Sequence, residues 1–256
     1  MPVSISIITA VFNRAGTIAD ALRSVAQQTH GNVEHIIVDG ASNDGTLGEV
    51  MRCRNDRMRI ISEPDKGIYD AVNKGIRAAS GEVVGVVHSD DWLAHSRVLE
   101  TIAHTFAVNP AIDGVYGDLQ YVSSRNPDKV IRHWRAGTYH PLQLKQGWMP
   151  PHPTLYLRRS VFDRYGLYNT ALQISADYDA ILRFLTQGHI GLAYLPEVLV
   201  RMRAGGISNR SLCRIIQKSR EDLYALRANG VGGLSTLAAK NFGKLGQFIT
   251  KETQAP

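Results

Sequence analysis

The first half of the chain alternates short β-branched runs with segments whose apolar residues recur every three or four positions. That is the pattern of a mostly parallel sheet covered by helices. Residues 3–9 read as the first strand. Thr17 is placed to cap a helix with Asp20 in its first turn, and Ile18, Ala21, Leu22, Val25 and Ala26 then share one face. Residues 33–38 and 59–62 are the second and third strands. A helix from about Gly67 buries Ile68, Ala71, Val72, Gly75, Ile76 and Ala79 and stops at Ser80-Gly81. Residues 82–87 are almost wholly apolar, as a strand covered on both faces must be, and belong at the sheet centre. Val98, Ile102 and Phe106 mark another helix and residues 112–117 another strand. Asn43-Asp44-Gly45 is turn chemistry, with Thr46 a plausible cap. Beyond about Tyr121 the pattern loosens into Trp-, Pro- and Gly-bearing segments. They leave a helix at about 176–187 and short strands at 191–195 and 198–202, read as a second half of the same domain.

Length and composition change this picture little. A chain of 256 residues, 44% hydrophobic and 20% charged, suits one large or two small globular domains and excludes disorder or a fibrous repeat. Two cysteines, Cys53 and Cys213, make no disulfide framework or zinc spacing, which favours a reduced, cytoplasmic setting. No basic leader and no run near the roughly 18 apolar residues of a membrane span are apparent.

Charge matters more by place than by total. The formal net charge is +6, and five of the six fall in residues 209–256. There Arg210, Arg214, Lys218, Arg220, Arg227, Lys240, Lys244 and Lys251 face only Glu221, Asp222 and Glu252. Leu212, Ile215, Ile216, Leu223 and Leu226 form one helical stripe, and Leu234, Ala238, Phe242, Leu245 and Ile249 another. A basic amphipathic extension of this kind suits peripheral contact with an anionic membrane, or packing on the body or on a second copy in a homodimer. The first half carries no basic stripe, so nucleic acid is not expected as a partner.

Three strands run into acid: residues 36–38 into Asp39, 60–62 into Glu63-Pro64-Asp65, and 84–87 into His88-Ser89-Asp90-Asp91. In an open α/β sheet, ligands sit beyond the carboxyl ends of the strands, so these acids are expected to converge on one crevice. Crowded carboxylates call for a cation. Hard oxygen donors select Mg²⁺ or Mn²⁺, which complete their shell with substrate phosphates. The glycine cradles of dinucleotide and P-loop sites are absent, since Thr9-Ala10-Val11-Phe12-Asn13-Arg14 follows the first strand. A diphosphate held through a metal is therefore the expected ligand.

Four segments in order, 6–14 (SIITAVFNR), 36–46 (IIVDGASNDGT), 62–75 (SEPDKGIYDAVNKG) and 81–92 (GEVVGVVHSDDW), resemble the family-2 glycosyltransferases of GT-A fold that build bacterial surface polysaccharides. The resemblance implies a GT-A catalytic domain over 1–208, with a nucleotide-sugar half at 1–120 and an acceptor half at 121–208. It implies a nucleotide pocket in which Asp39 accepts from the base, with Thr9, Asn13, Arg14, Asp65, Lys66, Asn73 and Ser89 around the donor. His88-Ser89-Asp90 stands where the family has Asp-x-Asp, so Asp90 is the implied metal ligand and Asp91 its neighbour, with His88 replacing the first Asp. Residues 174–183 (ISADYDAILR) resemble the segment carrying the catalytic base, which maps to Asp177, with Asp179 the weaker candidate. Residues 148–158 (WMPPHPTLYLR) and 201–208 (RMRAGGIS) resemble an acceptor wall and a closing loop. These imply Trp148 and His152 on the acceptor side and Arg201, Arg203 and Ser208 on the diphosphate.

The implied reaction is inverting transfer of a sugar from a UDP-linked donor to a saccharide or lipid-linked saccharide acceptor, with Mn²⁺ or Mg²⁺ on the diphosphate. Asp177 would take the acceptor proton and a Gly205-Gly206 loop would exclude water. A metal-dependent sugar nucleotidyltransferase is the enzymatic rival, although it would call for a basic glycine-rich loop after the first strand. A basic nucleic-acid-binding module is the other.

Overall fold

The structure of the protein, a computed structural model, describes residues 2–205 and 212–246. In chain order the elements are β1 (Ile5–Val11), α1 (Ile18–Ala26), β2 (Val33–Asp39), α2 (Thr46–Arg52), β3 (Met58–Ser62), α3 (Ile68–Ala78), β4 (Val83–Val86), β5 (Asp91–Leu93), α4 (Val98–Val108), β6 (Gly114–Val122) and β7 (Val130–Trp134). Two short 3₁₀ turns, Pro141–Gln146 and His152–Thr154, then lead to β8 (Tyr156–Arg158), α5 (Arg159–Tyr165), α6 (Ala176–Thr186), β9 (Leu192–Arg203), α7 (Leu212–Ala228) and α8 (Leu234–Gly246).

The strands form a nine-stranded sheet among the described residues, ordered β3-β2-β1-β4-β8-β6-β9-β5, with β7 on β6. Strands β1 to β4, β6 and β9 run one way; β5, β7 and β8 run against them. The all-parallel left half reads as apolar runs because both its faces are covered. Ala71, Val72 and Ile76 of α3 and Ala180, Ile181 and Phe184 of α6 build the core on one face. On the other, Ala21 and Val25 of α1 pack with Leu99, Ile102 and Phe106 of α4. The polar strand ends of β1, β2, β3 and β4 are thus aligned along one rim.

Several elements depart from the sequence pattern. The two short strands expected at 191–195 and 198–202 are one, β9, in which Pro196 and Glu197 bulge out opposite the Gly117–Asp118 step of β6. A proline cannot donate to the ladder, and that gap in the pattern mimics a strand end. Thr17 does precede α1, yet its buried hydroxyl caps nothing. At α2 the capping side chain is Asp44, whose Oδ1 accepts from the Thr46 backbone N–H at 3.0 Å, while Gly45 takes a left-handed φ of 92°.

The basic extension packs on the body. Ala225 and Leu226 of α7 are fully buried in the core shared with α6. Lys240 of α8, expected on a solvated or membrane-facing side, is only 3% exposed. Its ammonium pairs with Asp222 at 3.0 Å and lies 3.1 Å from the Tyr178 ring centroid. Gly147 makes this docking possible: its φ is 79°, and a Cβ there would overlap the Lys240 backbone. No described helix is long and apolar enough to cross a membrane. Residues 247–256, with Ile249, Lys251 and Glu252, lie outside the described residues, as do Gly206, Ser208 and Arg210.

One buried titratable group on the sheet gives a stability prediction. His35 of β2 is 2% exposed, shares a 2.9 Å hydrogen bond between Nε2 and the Thr9 hydroxyl, and is pushed down to about 3 by burial. The unfolded chain protonates this ring near its ordinary value of 6.5, while the folded chain keeps it neutral. Its contribution is therefore complete above 6.5 and declines as pH falls toward 3, by up to about 1.4 kcal/mol per pH unit. Urea midpoints measured from pH 7 to 4.5 are expected to fall more steeply for the wild type than for His35→Gln. Parallel slopes would contradict the assignment.

Candidate functional site

The rim of the sheet carries two groups of side chains. The first sits where β1, β2 and β3 end. Asp39 is fully buried; its two oxygens accept from the Ser42 backbone N–H, each at 3.2 Å, and Oδ2 also accepts from the Ser62 hydroxyl at 2.7 Å. Asp65 presses its carboxylate against the backbone at Gly40, and a Cβ there would collide with it. Its Oδ1 accepts from the Gly67 N–H at 2.8 Å. The loop after β1 is tied to the loop after β2: the Asn13 N–H donates to the Ser42 hydroxyl at 2.9 Å, the Asn43 N–H to the Asn13 side chain at 3.0 Å, and the Arg14 N–H to the Thr46 hydroxyl at 2.7 Å. Asn13 takes a left-handed φ of 51°, a conformation asparagine tolerates.

The second group sits beyond β4 and at the start of α6. Asp177 lies in the first turn of α6 and is half-buried. Its Oδ1 accepts from the Tyr178 N–H at 2.8 Å and from the Tyr69 hydroxyl at 3.1 Å; Oδ2 makes no hydrogen bond among the described residues. The one Tyr69 proton is shared with the Ile174 carbonyl, which stands nearer, at 2.7 Å. Burial and the Asp177 charge hold this phenol well above its ordinary range, so it stays protonated.

Against this carboxylate stand two histidines, His88 and His152, with ring centroids 5.8 Å apart. Burial pushes both down. For His88 the carboxylates of Asp90 and Asp177 pull part of the way back, and its Nδ1 is buried without a partner. His152 falls to about 4, and its Nε2 shares a 2.9 Å hydrogen bond with the Tyr168 hydroxyl. Both rings are therefore neutral near pH 7, and the negative charge of the crevice belongs to carboxylates. The half-buried Asp90 beside them makes no hydrogen bond or ion pair through its carboxylate among the described residues, although its backbone carbonyl accepts from Arg203 at 2.9 Å.

A family model described as glycosyl transferase family 2 matches residues 6–166, the stretch that carries the whole rim except Asp177. The chain belongs to glycosyl transferase family 2. A PGL/p-HBAD biosynthesis glycosyltransferase of Mycobacterium bovis is 30% identical over 208 residues, covering 80% of this chain and 78% of the relative. Among solved structures, the mannosyltransferase PcManGT of Pyrobaculum calidifontis, in complex with GDP-Man and Mn²⁺, superposes with a TM-score of 0.67 at 18% identity over 94% of this chain and 70% of that one. S. aureus TarS gives 0.67 at 19% identity over 89% of this chain, which spans 39% of the TarS chain. These likenesses establish the fold as GT-A, and the family establishes the protein as a glycosyltransferase.

Within the glycosyltransferase the implied site residues do not all reach the crevice. Thr9 of β1 is fully buried, its hydroxyl 2.9 Å from His35 Nε2. Asn73 is spent on the Tyr168 backbone, donating to its carbonyl at 2.8 Å and accepting from its N–H at 3.0 Å. Asp91, expected beside the metal, is 1% exposed, and both carboxylate oxygens are buried without a partner. Its strand position pairs it with Met202, and burial together with Asp90 holds its carboxyl well above the ordinary range. In this structure it stands as a buried acid. Arg203 donates to Asp20 at 2.5 Å and lies 4.6 Å from the Trp92 ring centroid, which occupies the guanidinium expected on a diphosphate. Asp179, the weaker base candidate, is held by Arg183 at 2.9 Å and Asn229 at 3.0 Å.

Other placements differ in degree. Trp148 stacks on Tyr139 with centroids 5.1 Å apart and donates to the Ala136 carbonyl at 2.9 Å, so one ring face is already covered. Ser89 is buried, Arg201 half-buried, and the exposed Lys66 donates its backbone N–H to Asp70 at 3.0 Å. The acids do not crowd together: among the described residues no three His, Cys, Asp or Glu side chains stand together to hold an ion. Tyr69 and Tyr168 escaped the sequence reading. Tyr69 lies inside a matching motif but was unassigned, and Tyr168 follows no pattern that marks it.

Proposed function

We propose that this glycosyltransferase moves a sugar from a UDP-linked donor to a saccharide or lipid-linked saccharide acceptor, with inversion at the anomeric carbon. The observation that carries this reading is Asp177: a half-buried carboxylate fixed through Oδ1, with Oδ2 uncommitted, facing His88 and Asp90 at the end of β4. The TarS structures in complex with UDP and UDP-GlcNAc support a uridine donor, and the mycobacterial PGL/p-HBAD biosynthesis glycosyltransferase supports a glycoconjugate product.

In this reading Asp39 and Asp65, braced by Ser42, Ser62 and the Gly40 backbone, receive the nucleoside. Asp90 supplies one hard, uncommitted carboxylate, and the donor phosphates and water would complete the shell of Mn²⁺ or Mg²⁺. A divalent ion there would neutralise the diphosphate and ease its departure. The GDP-Man and Mn²⁺ complex of PcManGT supports divalent metal use. Asp177 accepts the acceptor hydroxyl proton at Oδ2. The acceptor oxygen bonds to the anomeric carbon from the face opposite the diphosphate, whose oxygen leaves with the bonding pair, so one displacement inverts the centre. Tyr69, kept protonated, orients the carboxylate, and neutral His88 and His152 wall the site without competing for the phosphates.

Asp177→Asn is expected to bind UDP-sugar within about two-fold of wild type and to lose transfer by about a thousand-fold. Near-normal transfer would remove the base. Release of nucleoside diphosphate rather than pyrophosphate is the expected product signature, and pyrophosphate would favour a nucleotidyltransferase.

The outer face of α7 supports the membrane as a place of action. Ile216 and Tyr224 are 55% and 52% exposed and share one side of the helix with Arg220 and Arg227. An apolar strip set among arginines matches an anionic bilayer surface. Vesicles rich in acidic lipid are expected to float the protein, and Ile216→Asp with Tyr224→Asp to abolish flotation. Flotation that survives both changes would reject this surface.

A further inference from the structure

We infer that Glu221 of α7 is a positioning residue for Asp177, making the C-terminal helices part of the catalytic unit. The inference rests on Asp177 being the base. The segment leading into α6 has no regular structure, and its backbone donors need partners. Glu221 supplies them for residues 173–175. Its Oε1 accepts from the Gln173 N–H at 3.2 Å, and its Oε2 from the Ile174 and Ser175 N–H groups at 2.8 and 2.9 Å. Gln217, one turn earlier on α7, donates to the same Oε1 at 2.9 Å and to the Gln173 side chain at 3.1 Å.

The next residue of α7 continues the grip. The Ser175 hydroxyl donates to Asp222 at 2.7 Å, and Asp222 is buried between Lys218 at 2.5 Å and Lys240 at 3.0 Å. Two residues beyond Asp177, Asp179 accepts from Asn229 at the end of α7. On the far side, the Tyr69 hydroxyl of α3 shares its one proton between the Ile174 carbonyl at 2.7 Å and Asp177 Oδ1 at 3.1 Å. The base therefore sits on a short span whose carbonyl side is fixed by the catalytic core and whose N–H side is fixed by α7. Three charge-assisted bonds converge on one carboxylate here, and such bonds are stronger than neutral ones. Removing them lets residues 173–175 shift, and a displacement of about 1 Å at a base costs about a hundred-fold in rate.

The variants are Glu221→Ala, and Glu221→Gln, which keeps the size and one accepting oxygen, each made in wild type and in Asp177→Asn. Thermal melting and UDP affinity accompany kcat and KM. Glu221→Ala is expected to lower kcat by about thirty-fold or more, with donor KM and UDP affinity within about two-fold, and Glu221→Gln to recover most of the rate. In the Asp177→Asn background the residual transfer is expected to be unchanged by either substitution, since Glu221 acts through the base. If Glu221→Ala does not fold, Glu221→Gln carries the same comparison, with a loss of several-fold in wild type and none in Asp177→Asn. An unchanged kcat, or an equal loss in both backgrounds, overturns the inference. Full activity of Asp177→Asn alone overturns the base assignment instead, and the two failures are told apart by that variant.

Discussion

On the proposed reading the crevice depends on one constraint: a half-buried carboxylate must be held immobile at the start of α6. Asp177 stands in the first turn of that helix, where negative charge is favoured, and its Oδ1 accepts from Tyr69, a phenol buried too deeply to ionise, while the histidines beside it are neutral. Were the rings charged, the site would bind phosphate through them and draw the carboxylate into an ion pair. Burial of His88 and His152 prevents this.

From that constraint the division of labour along the rim follows. The parallel strands deliver Asp39 and Asp65 to one end and Asp90 to the other, with β1 between β2 and β4. The carboxylates at the first end are satisfied by serine hydroxyls and backbone donors, which suits the recognition of a neutral base edge. Asp90 at the second end is unsatisfied, which suits a cation carrying phosphates. Two differently furnished ends match an elongated ligand with a nucleoside at one end and a reactive diphosphate at the other.

Much of this was legible in the chain. Strands β1, β2, β3 and β4 and helices α1, α3, α4 and α6 follow from periodicity, and the acids at the strand ends mark the rim. What failed had physical causes. The three-residue strands β5 and β8 are too short to show a period, and Pro196 cut β9 in two. Motif position does not tell which side a strand residue faces: Asp91 on β5 alternates toward the core, and Thr9 on β1 is fully buried, whereas Asn73 on helix α3 turns to the Tyr168 backbone. Basic residues in a helical stripe look alike whether they meet solvent, lipid or a buried acid, and only the packing shows that Lys240 meets Asp222.

On the proposed reading α7 would join two roles, with Ile216, Tyr224, Arg220 and Arg227 outward and Glu221 and Asp222, which hold residues 173–175, inward. The most direct test of the whole account is a crystal structure with UDP-sugar and Mn²⁺, read by anomalous scattering. An ion bound to Asp90 and the diphosphate, with the anomeric carbon within reach of an acceptor oxygen activated at Asp177 Oδ2, is the predicted result. A donor seated away from Asp90, or an anomeric carbon turned from Asp177, would contradict it.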